Sequence, residues 1–284
     1  MAPEQTPLGQ QRRLRGELRQ ARSQAGLTQR GVAEELDWST SKVIRIETGA
    51  VGVSSTDLRA LLQLYGVTDP ARVAELVEMA KAARRKAWWD DYRDSFNAKL
   101  VNFVASEAEA VGIRHFQSLI VPGALQTADY ARAVLKDFGA SDPDLVERAV
   151  KMRLTRQAGI VAENGPSATF VLDEPVLLRQ VGGPEVMRAQ LEHLRELDRL
   201  ERISIRVRPF DAGVRDGMQV SFTIFDFDDG PEHLVYVNQP GETVTVKSDT
   251  DEVCHYIDLF TDLDERASAL SEFTSRRLGD PMIG

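Results

Sequence analysis

The sequence predicts an all-α N-terminal helix-turn-helix domain of five helices, followed by an α+β C-terminal domain with a mainly antiparallel sheet. Three observations predict this. Apolar residues recur at helical spacing from Gln10 to about Trp88, broken only by short Gly- or Asp-containing turns. Alternating and β-branched segments enter only from about Ala168 onward. Charge also divides along the chain. Met1–Lys86 carries 14 Lys/Arg and 10 Asp/Glu and the remainder 21 and 34, so a −9 chain is a +4 module followed by a −13 one. Such a split points to two modules with different partners.

Size and composition set the outer bounds. A length of 284 residues suits about two domains. Hydrophobic residues at 42% and charged residues at 28% are ordinary globular values and exclude a disordered or fibrous chain. No apolar run approaches the ~20 residues needed to span a bilayer. Met1 to Gln11 is polar and lacks the apolar core of a signal peptide. The single cysteine, Cys254, allows no intrachain disulfide and fits a reduced, cytoplasmic protein.

Residues 1–9 read as a flexible arm, 10–68 as the helix-turn-helix domain, 69–97 as a helical connector and 98–284 as the α+β domain. In the first part, Leu14, Leu18 and Ala21 share a helical stripe that Gly26 ends. Thr28 caps a helix whose inner face is Val32, Ala33 and Leu36, and Asp37-Trp38 turns the chain. Ser39 caps a third helix with apolar Val43, Ile44 and Ile46, which Gly49 ends. Ser54 to Tyr65 is a fourth helix. A fifth starts at Asp69-Pro70, where proline suits the first turn, and runs as far as Tyr92.

Further on, Ala98 to Val111, Ala128 to Phe138 and a segment opened by Asp142-Pro143 read as helices. Phe116 to Leu125 is apolar and broken at Pro122-Gly123. Ala168–Leu172 reads as a buried strand and Ile203–Val207 as a half-buried one. Val220–Phe227 and Leu234–Val237 are joined by Asp228-Asp229-Gly230-Pro231 as a hairpin, and Thr243–Val246 is a further strand. A helix opens at Gly183-Pro184, and Val253 to Leu270 closes the chain as another. No internal repeat is present.

The segment Gly26 to Gly49 carries the chemistry. Two short helices, each too short to be stable alone, meet at a tight turn. In such a helix-turn-helix the second helix enters the major groove with its N-terminal end. Ser39, Thr40 and Ser41 are small and polar, so the helix backbone can approach base edges. Lys42 and Arg45 follow, and Arg45 suits a bidentate contact to guanine. Gln29 and Arg30, at the start of the preceding helix, are placed for phosphate, which positions without specifying. Ser39 is also the helix cap. Lys42 is open between phosphate contact and a solvated surface.

Leu27-Thr28-Gln29, Ala33 and Ile46-Glu47-Thr48-Gly49 resemble the phage-repressor-like (XRE-type) helix-turn-helix regulators over about residues 10 to 66. That resemblance implies DNA contact by Gln29, Thr40, Ser41 and Arg45. It also implies that Glu47 pairs with an arginine of the first helix, Arg13 or Arg19. Four further segments occur in order: Val121-Pro-Gly-Ala-Leu-Gln-Thr-Ala-Asp-Tyr-Ala131, Arg153-Leu-Thr-Arg-Gln157, Leu172-Asp-Glu-Pro175 and Val207-Arg-Pro-Phe210. Together they are similar to the C-terminal domain of actinobacterial WhiJ-like, or Scr-type antitoxin-like, regulators over roughly residues 95 to 278. This implies a small protein partner encoded by a neighbouring gene. Asn238 stands where that family often has Glu, which bears on partner specificity. The ratio of 28 Arg to 7 Lys agrees with a GC-rich bacterial source.

Other chemistry is thin. His115, His193, His233 and His255 show no ligand spacing, and no metal or cofactor is expected. Adjacent Cys254 and His255 diverge on a helix. No nucleophile elbow, Walker loop or Rossmann glycine pattern occurs, so an enzyme is not expected. Asp226, Asp228 and Asp229 read as a solvated hairpin end rather than a calcium site. Asp249, Asp251 and Glu252 favour the positive end of the last helix. Gln126, Thr127 and Tyr130 beside an apolar segment suggest a ligand or partner pocket, with a capped helix start as the alternative. Trp88, Trp89, Tyr92 and Phe96 form an aromatic cluster at the domain junction.

The expected partners are therefore double-stranded DNA, a second copy of the chain, a small protein and a small-molecule effector, with no membrane. The expected function is a sequence-specific, dimeric transcriptional regulator on an inverted-repeat operator. The alternatives are an antitoxin-like protein that neutralises its partner and a small-molecule-sensing regulator.

Overall fold

The computed structural model describes residues 7–49, 51–214, 216–227, 233–239, 242–247 and 250–277. The chain divides into two compact units, Met1–Asp91 and Tyr92–Gly284.

The first unit is helical. It contains α1 (Pro7–Gln24), α2 (Gln29–Glu35), α3 (Thr40–Thr48), α4 (Ser55–Leu64) and α5 (Pro70–Ala82). Thr28, Ser39, Ser54 and Asp69 each accept a backbone N–H three residues on, so the caps fix where α2 to α5 begin. Leu14 and Leu18 of α1 pack with Val32, Val43, Ile46, Leu58, Leu61, Leu62 and Leu76 in one core. Two boundaries differ from expectation. Helix α1 already begins at Pro7, inside the expected arm, and residues 1–6 lie outside the described residues. Helix α5 stops at Ala82 instead of reaching Tyr92. Beyond it, Asp90 accepts the Ala87 N–H at 2.8 Å, and Trp88–Tyr92 forms a separate 3-10 turn. Within that stretch Trp88 meets Trp89 edge to face at 5.7 Å, while Tyr92 tilts against Phe96.

The second unit is α+β. In chain order it contains α6 (Ala98–Glu107), β1 (Gly112–Gln117), α7 (Ala128–Asp137), α8 (Pro143–Val161), β2 (Ser167–Asp173), α9 (Pro175–Leu178), α10 (Pro184–Leu197) and β3 (Ile203–Arg208). There follow β4 (Phe222–Asp226), β5 (His233–Gln239), β6 (Glu242–Lys247), α11 (Thr250–Glu265), β7 (Ser268–Ala269) and α12 (Leu270–Arg277). The strands form one mixed sheet in the order β6-β5-β4-β1-β2-β3-β7. Most pairings are antiparallel, as expected, but β1, β2 and β3 run parallel at its centre. The long helical connections between those strands make the parallel arrangement possible. One face of the sheet carries a core filled from α7, α8, α10 and α12, and the other is covered by Val253, Phe260 and Leu263 of α11.

Strand β1 was invisible to hydropathy. Ile113 belongs to one core and Phe116 to the other, so β1 is buried on both faces. Yet it carries polar His115 and Gln117 inward, which erases any apolar alternation. The expected closing helix from Val253 to Leu270 is also broken. Its last residues leave the helix so that Ser268 and Ala269 can pair with β3. Arg206 of β3 holds that break by donating to the carbonyls of Asp264 and Ala267. The expected Asp228–Pro231 turn, with Asp228 and Asp229, and also Asp249, lie outside the described residues.

His115 satisfies its ring within the sheet, with Nδ1 2.7 Å from Thr223 Oγ1 and Nε2 3.1 Å from Gln117 Oε1. Burial pushes its pKa from 6.5 down to about 4. The folded chain thus keeps a neutral imidazole where the unfolded chain takes up a proton. Stability from this group is complete above pH 6.5 and is lost as pH falls toward 4, by ~3 kcal/mol in total. Urea-denaturation midpoints measured from pH 7 to 4 should show this slope, and His115→Gln should flatten it.

Candidate nucleic-acid interface

Helices α2 and α3 meet through a turn at Leu36–Ser39. Asp37 takes a left-handed backbone there, with φ +53°, a conformation that a short polar side chain tolerates better than most. The Trp38 N–H returns to the Ala33 carbonyl at 2.8 Å and closes the turn.

The orientation of α3 is set from inside by Glu47, whose residue surface is 1% exposed. Arg22 of α1 donates Nε to its Oε1 at 2.7 Å, and Gln29 of α2 donates Nε2 to its Oε2 at 2.8 Å. The Tyr65 hydroxyl, just beyond α4, lies 3.4 Å from Oε1. One carboxylate thereby ties together four segments. Burial, and then the Glu47 charge, raises the Tyr65 pKa, which keeps that phenol a donor. The expected partner was Arg13 or Arg19. The structure uses Arg22, in the last turn of α1, where the same guanidinium also donates to the Leu27 carbonyl at 2.8 Å. Arg13 lies instead 3.7 Å from Glu75.

The ends of α3 are held as well. Gly49 stops the helix with φ +74°, and a Cβ there would come within 2.6 Å of Arg15 Cδ. Gln11 Nε2 donates to the Gly49 carbonyl at 3.0 Å and Arg15 Nη1 to the Thr48 carbonyl at 2.9 Å. A guanidinium at a helix C-terminus also complements the helix dipole. At the other end, Ser39 Oγ accepts the Lys42 N–H at 3.2 Å.

The sequence-predicted contact residues fall into two groups. Thr40, Ser41 and Arg45 are exposed on the outer face of α3, and no side-chain hydrogen bond or ion pair engages them among the described residues. The others have internal work. Lys42 donates Nζ to Asp57 Oδ1 at 2.9 Å and lies 3.6 Å over the Trp38 ring, so its ammonium is engaged within the first unit. Burial alone would raise the Asp57 pKa, but hydrogen bonds from Lys42 and Ser54 outweigh it and lower that pKa. The Gln29 amide nitrogen is committed to Glu47. Arg30 pairs on the surface with Glu34 at 2.9 Å, an exposed contact of small energetic weight.

One residue of this face was missed. Ile44 was grouped with Val43 and Ile46 as apolar, yet Val43, Ile46 and Glu47 are the buried residues of α3 and Ile44 points outward. Helical spacing holds the signal. Positions 43, 46 and 47 form the buried stripe, and 40, 44 and 48 form another about a quarter-turn around the helix, between it and the side of Ser41 and Arg45.

In the second unit, Gln126, Thr127 and Tyr130 take part in an internal latch. Gln126 and Tyr130 are buried. Gln126 Nε2 donates to the Val121 carbonyl at 2.8 Å, and the Tyr130 oxygen accepts the Val121 N–H at 3.2 Å. Thr127 caps α7, and its own N–H goes to buried Gln190, which also donates to the Leu125 carbonyl. The capped helix start, held open as the alternative, is the observed arrangement.

The neighbouring motif on α8 serves the same loop. Gln157 donates to the Ala124 carbonyl at 2.9 Å, and Arg156 makes a bidentate pair with buried Glu107 at 2.6 and 2.8 Å. Gly123 leaves room for that arginine, since a Cβ would lie 3.2 Å from its Nη1. Burial, and then the Arg156 charge, lowers the pKa of neighbouring Arg153 to about 10, so it stays cationic at neutral pH. The remaining two motifs join one another: the Phe210 N–H donates to Glu174 Oε2 at 2.7 Å. Asn238 is exposed at the end of β5, with its N–H on the Ser221 carbonyl at 2.9 Å.

The first unit is therefore a helix-turn-helix module, the class of fold that DNA-binding regulators use, and a model described as Helix-turn-helix domain matches residues 13–76. The chain belongs to the family described as Domain of unknown function (DUF5753), whose model matches residues 100–278. Comparison with curated proteins and with solved structures gives no match. Among the described residues, no helix is long and apolar enough to cross a membrane.

Removal of the Glu47 carboxylate leaves Arg22 without its buried counter-charge and strips Gln29 and Tyr65 of their acceptor. Glu47→Ala should destabilise the first unit by ~3 kcal/mol, read as a fall in the thermal midpoint of its helical circular-dichroism signal. A loss under ~1 kcal/mol would show that the apolar core alone fixes α3.

Proposed function

We propose that this chain is a sequence-specific transcriptional regulator. It binds double-stranded DNA as a homodimer on an inverted-repeat operator, and a small protein from a neighbouring gene controls it through the second unit. The observation that carries the reading is the outer face of α3. Thr40, Ser41 and Arg45 stand exposed and unengaged on a helix whose inner face, start and end are all fixed. A rigid helix with free polar groups is what major-groove reading requires. One such helix covers too few base pairs for a unique site, and two-fold repetition on DNA supplies the rest.

Arg45 is the principal base reader, with guanine as its target. Thr40 and Ser41 permit close approach, and Gln29, Arg30 and Ser39 face the backbone nearby. The residue matches described above favour an XRE-type regulator of actinobacterial WhiJ-like kind, located in the cytoplasm. The −13 balance of the second part suits a basic protein partner. That same balance supports the second reading, an antitoxin-like protein that neutralises its partner and binds DNA for autoregulation. Sensing of a small molecule at Gln126, Thr127 and Tyr130 draws less support, since the Gln126 amide nitrogen, the Thr127 N–H and the Tyr130 oxygen are engaged internally. No catalytic role is proposed.

A mobility-shift assay with the intact protein and DNA from upstream of its own operon tests the reading. A sequence-dependent shift that weakens steeply with salt is expected. Arg45→Ala should lower affinity for the preferred site by about tenfold or more while leaving nonspecific binding nearly unchanged. Lys42→Ala should cost folding stability more than base preference. Absence of any sequence-dependent shift from the intact dimer would sink the proposal. Co-purification with the neighbouring gene product tests partner control.

A further inference from the structure

Helix α3 presents two parallel ridges to the outside. Ser41 and Arg45 form a polar one. Thr40, Ile44 and Thr48, each one turn apart, form the other. Thr48 turns its hydroxyl inward, with Oγ1 donating to the Ile44 carbonyl at 2.8 Å, which leaves its methyl as the outward group. Ile44 is 40% exposed, although its neighbours Val43 and Ile46 are buried. Single exposed apolar residues are common on protein surfaces. Here their placement is restricted. Among the described residues of the first unit, the exposed large apolar side chains are Ile44 and Val51, and the Val51 N–H is bonded to the Arg45 carbonyl at the end of the same helix. The apolar surface that this unit leaves to solvent is therefore concentrated on and beside the helix with the unengaged polar groups.

The two ridges differ in what they can recognise. A guanidinium reads the N7 and O6 acceptors of guanine. A branched aliphatic side chain has no donor or acceptor, and the one apolar feature of the major groove is the thymine 5-methyl. Cytosine, which lacks that methyl and presents an amino donor, gives Ile44 nothing and loses solvation of its amino group. We infer that Ile44 is a specificity-determining residue that reads a thymine methyl, so that each half-site carries a thymine beside the guanine read by Arg45. This rests on the proposed DNA-binding function and adds to it the base chemistry of the operator.

The test separates the two claims. The preferred site is first selected from random duplex DNA by the intact protein. Each thymine in it is then replaced by deoxyuridine, which removes the methyl and keeps the pairing. At one position per half-site, this should weaken the wild-type protein about fourfold, the worth of one buried methyl group. Ile44→Ala, made on an exposed helical position and verified by an unchanged thermal midpoint, should bind the thymine site about fourfold or more weakly and become indifferent to deoxyuridine there. Ile44→Leu, which restores aliphatic bulk, should recover most of the loss. If the wild type selects a site and Arg45→Ala weakens it, but deoxyuridine at every position and Ile44→Ala change nothing, the inference is overturned while the DNA-binding function stands. If the intact protein selects no site, both fall.

Discussion

The first unit depends on one buried carboxylate. Glu47 is enclosed at the meeting point of α1, α2, α3 and the residue after α4, and each of the other three contributes a donor to it. A charge in such a place is unfavourable unless its hydrogen-bonding capacity is filled. That condition makes the arrangement specific. A rotation of α3 about its axis would leave Arg22, Gln29 and Tyr65 unmatched at once, whereas the leucines and valines of the core tolerate small slides. The apolar core supplies the bulk of the stability and the carboxylate selects which packing is adopted. The caps, Gly49 and the Lys42–Asp57 pair then finish what Glu47 begins, so that the outer face of α3 is held still by interactions that all lie behind it.

Much of this was legible in the sequence, because helices announce themselves locally. Thr28, Ser39, Ser54 and Asp69 mark helix starts, and each cap sits where its residue type implied. What escaped was the content of long-range contacts. The choice of Arg22 over Arg13 or Arg19 depends on how α1 is rotated against α3, and several arginines on one helix offer the same chemistry. The commitment of Lys42 to Asp57 is set by how α4 packs, which spacing alone does not reveal. Ile44 is apolar by type but outward by position, since the buried stripe of α3 runs through 43, 46 and 47.

The second unit was less legible for a related reason. Sheet strands are defined by partners distant in sequence, and β1 hides its place by carrying His115 and Gln117 inside. Helix-forming residues in 253–270 gave no warning that Arg206 would stop α11 and divert Ser268 into the sheet. The recognisable motifs hold much of the local fold. Polar side chains of the Val121–Ala131 loop, of α8 and of Gln190 bond to one another's backbone, and Glu174 fastens the segment after β3. Polar residues clustered beside an apolar run signal a pocket and a latch equally well from sequence. Only burial and the identity of the hydrogen-bond partners separate them.

The separation of the two sides of α3 bears on how such proteins diversify. Thr40, Ser41, Ile44 and Arg45 share no side-chain hydrogen bond or ion pair with the scaffold among the described residues, and the core positions share no surface with the outer face. A duplicated copy of this chain could exchange the outward polar residues without breaking a side-chain bond to the scaffold. On the proposed DNA-binding role, such exchanges alter which site is read while the module behind them keeps its form.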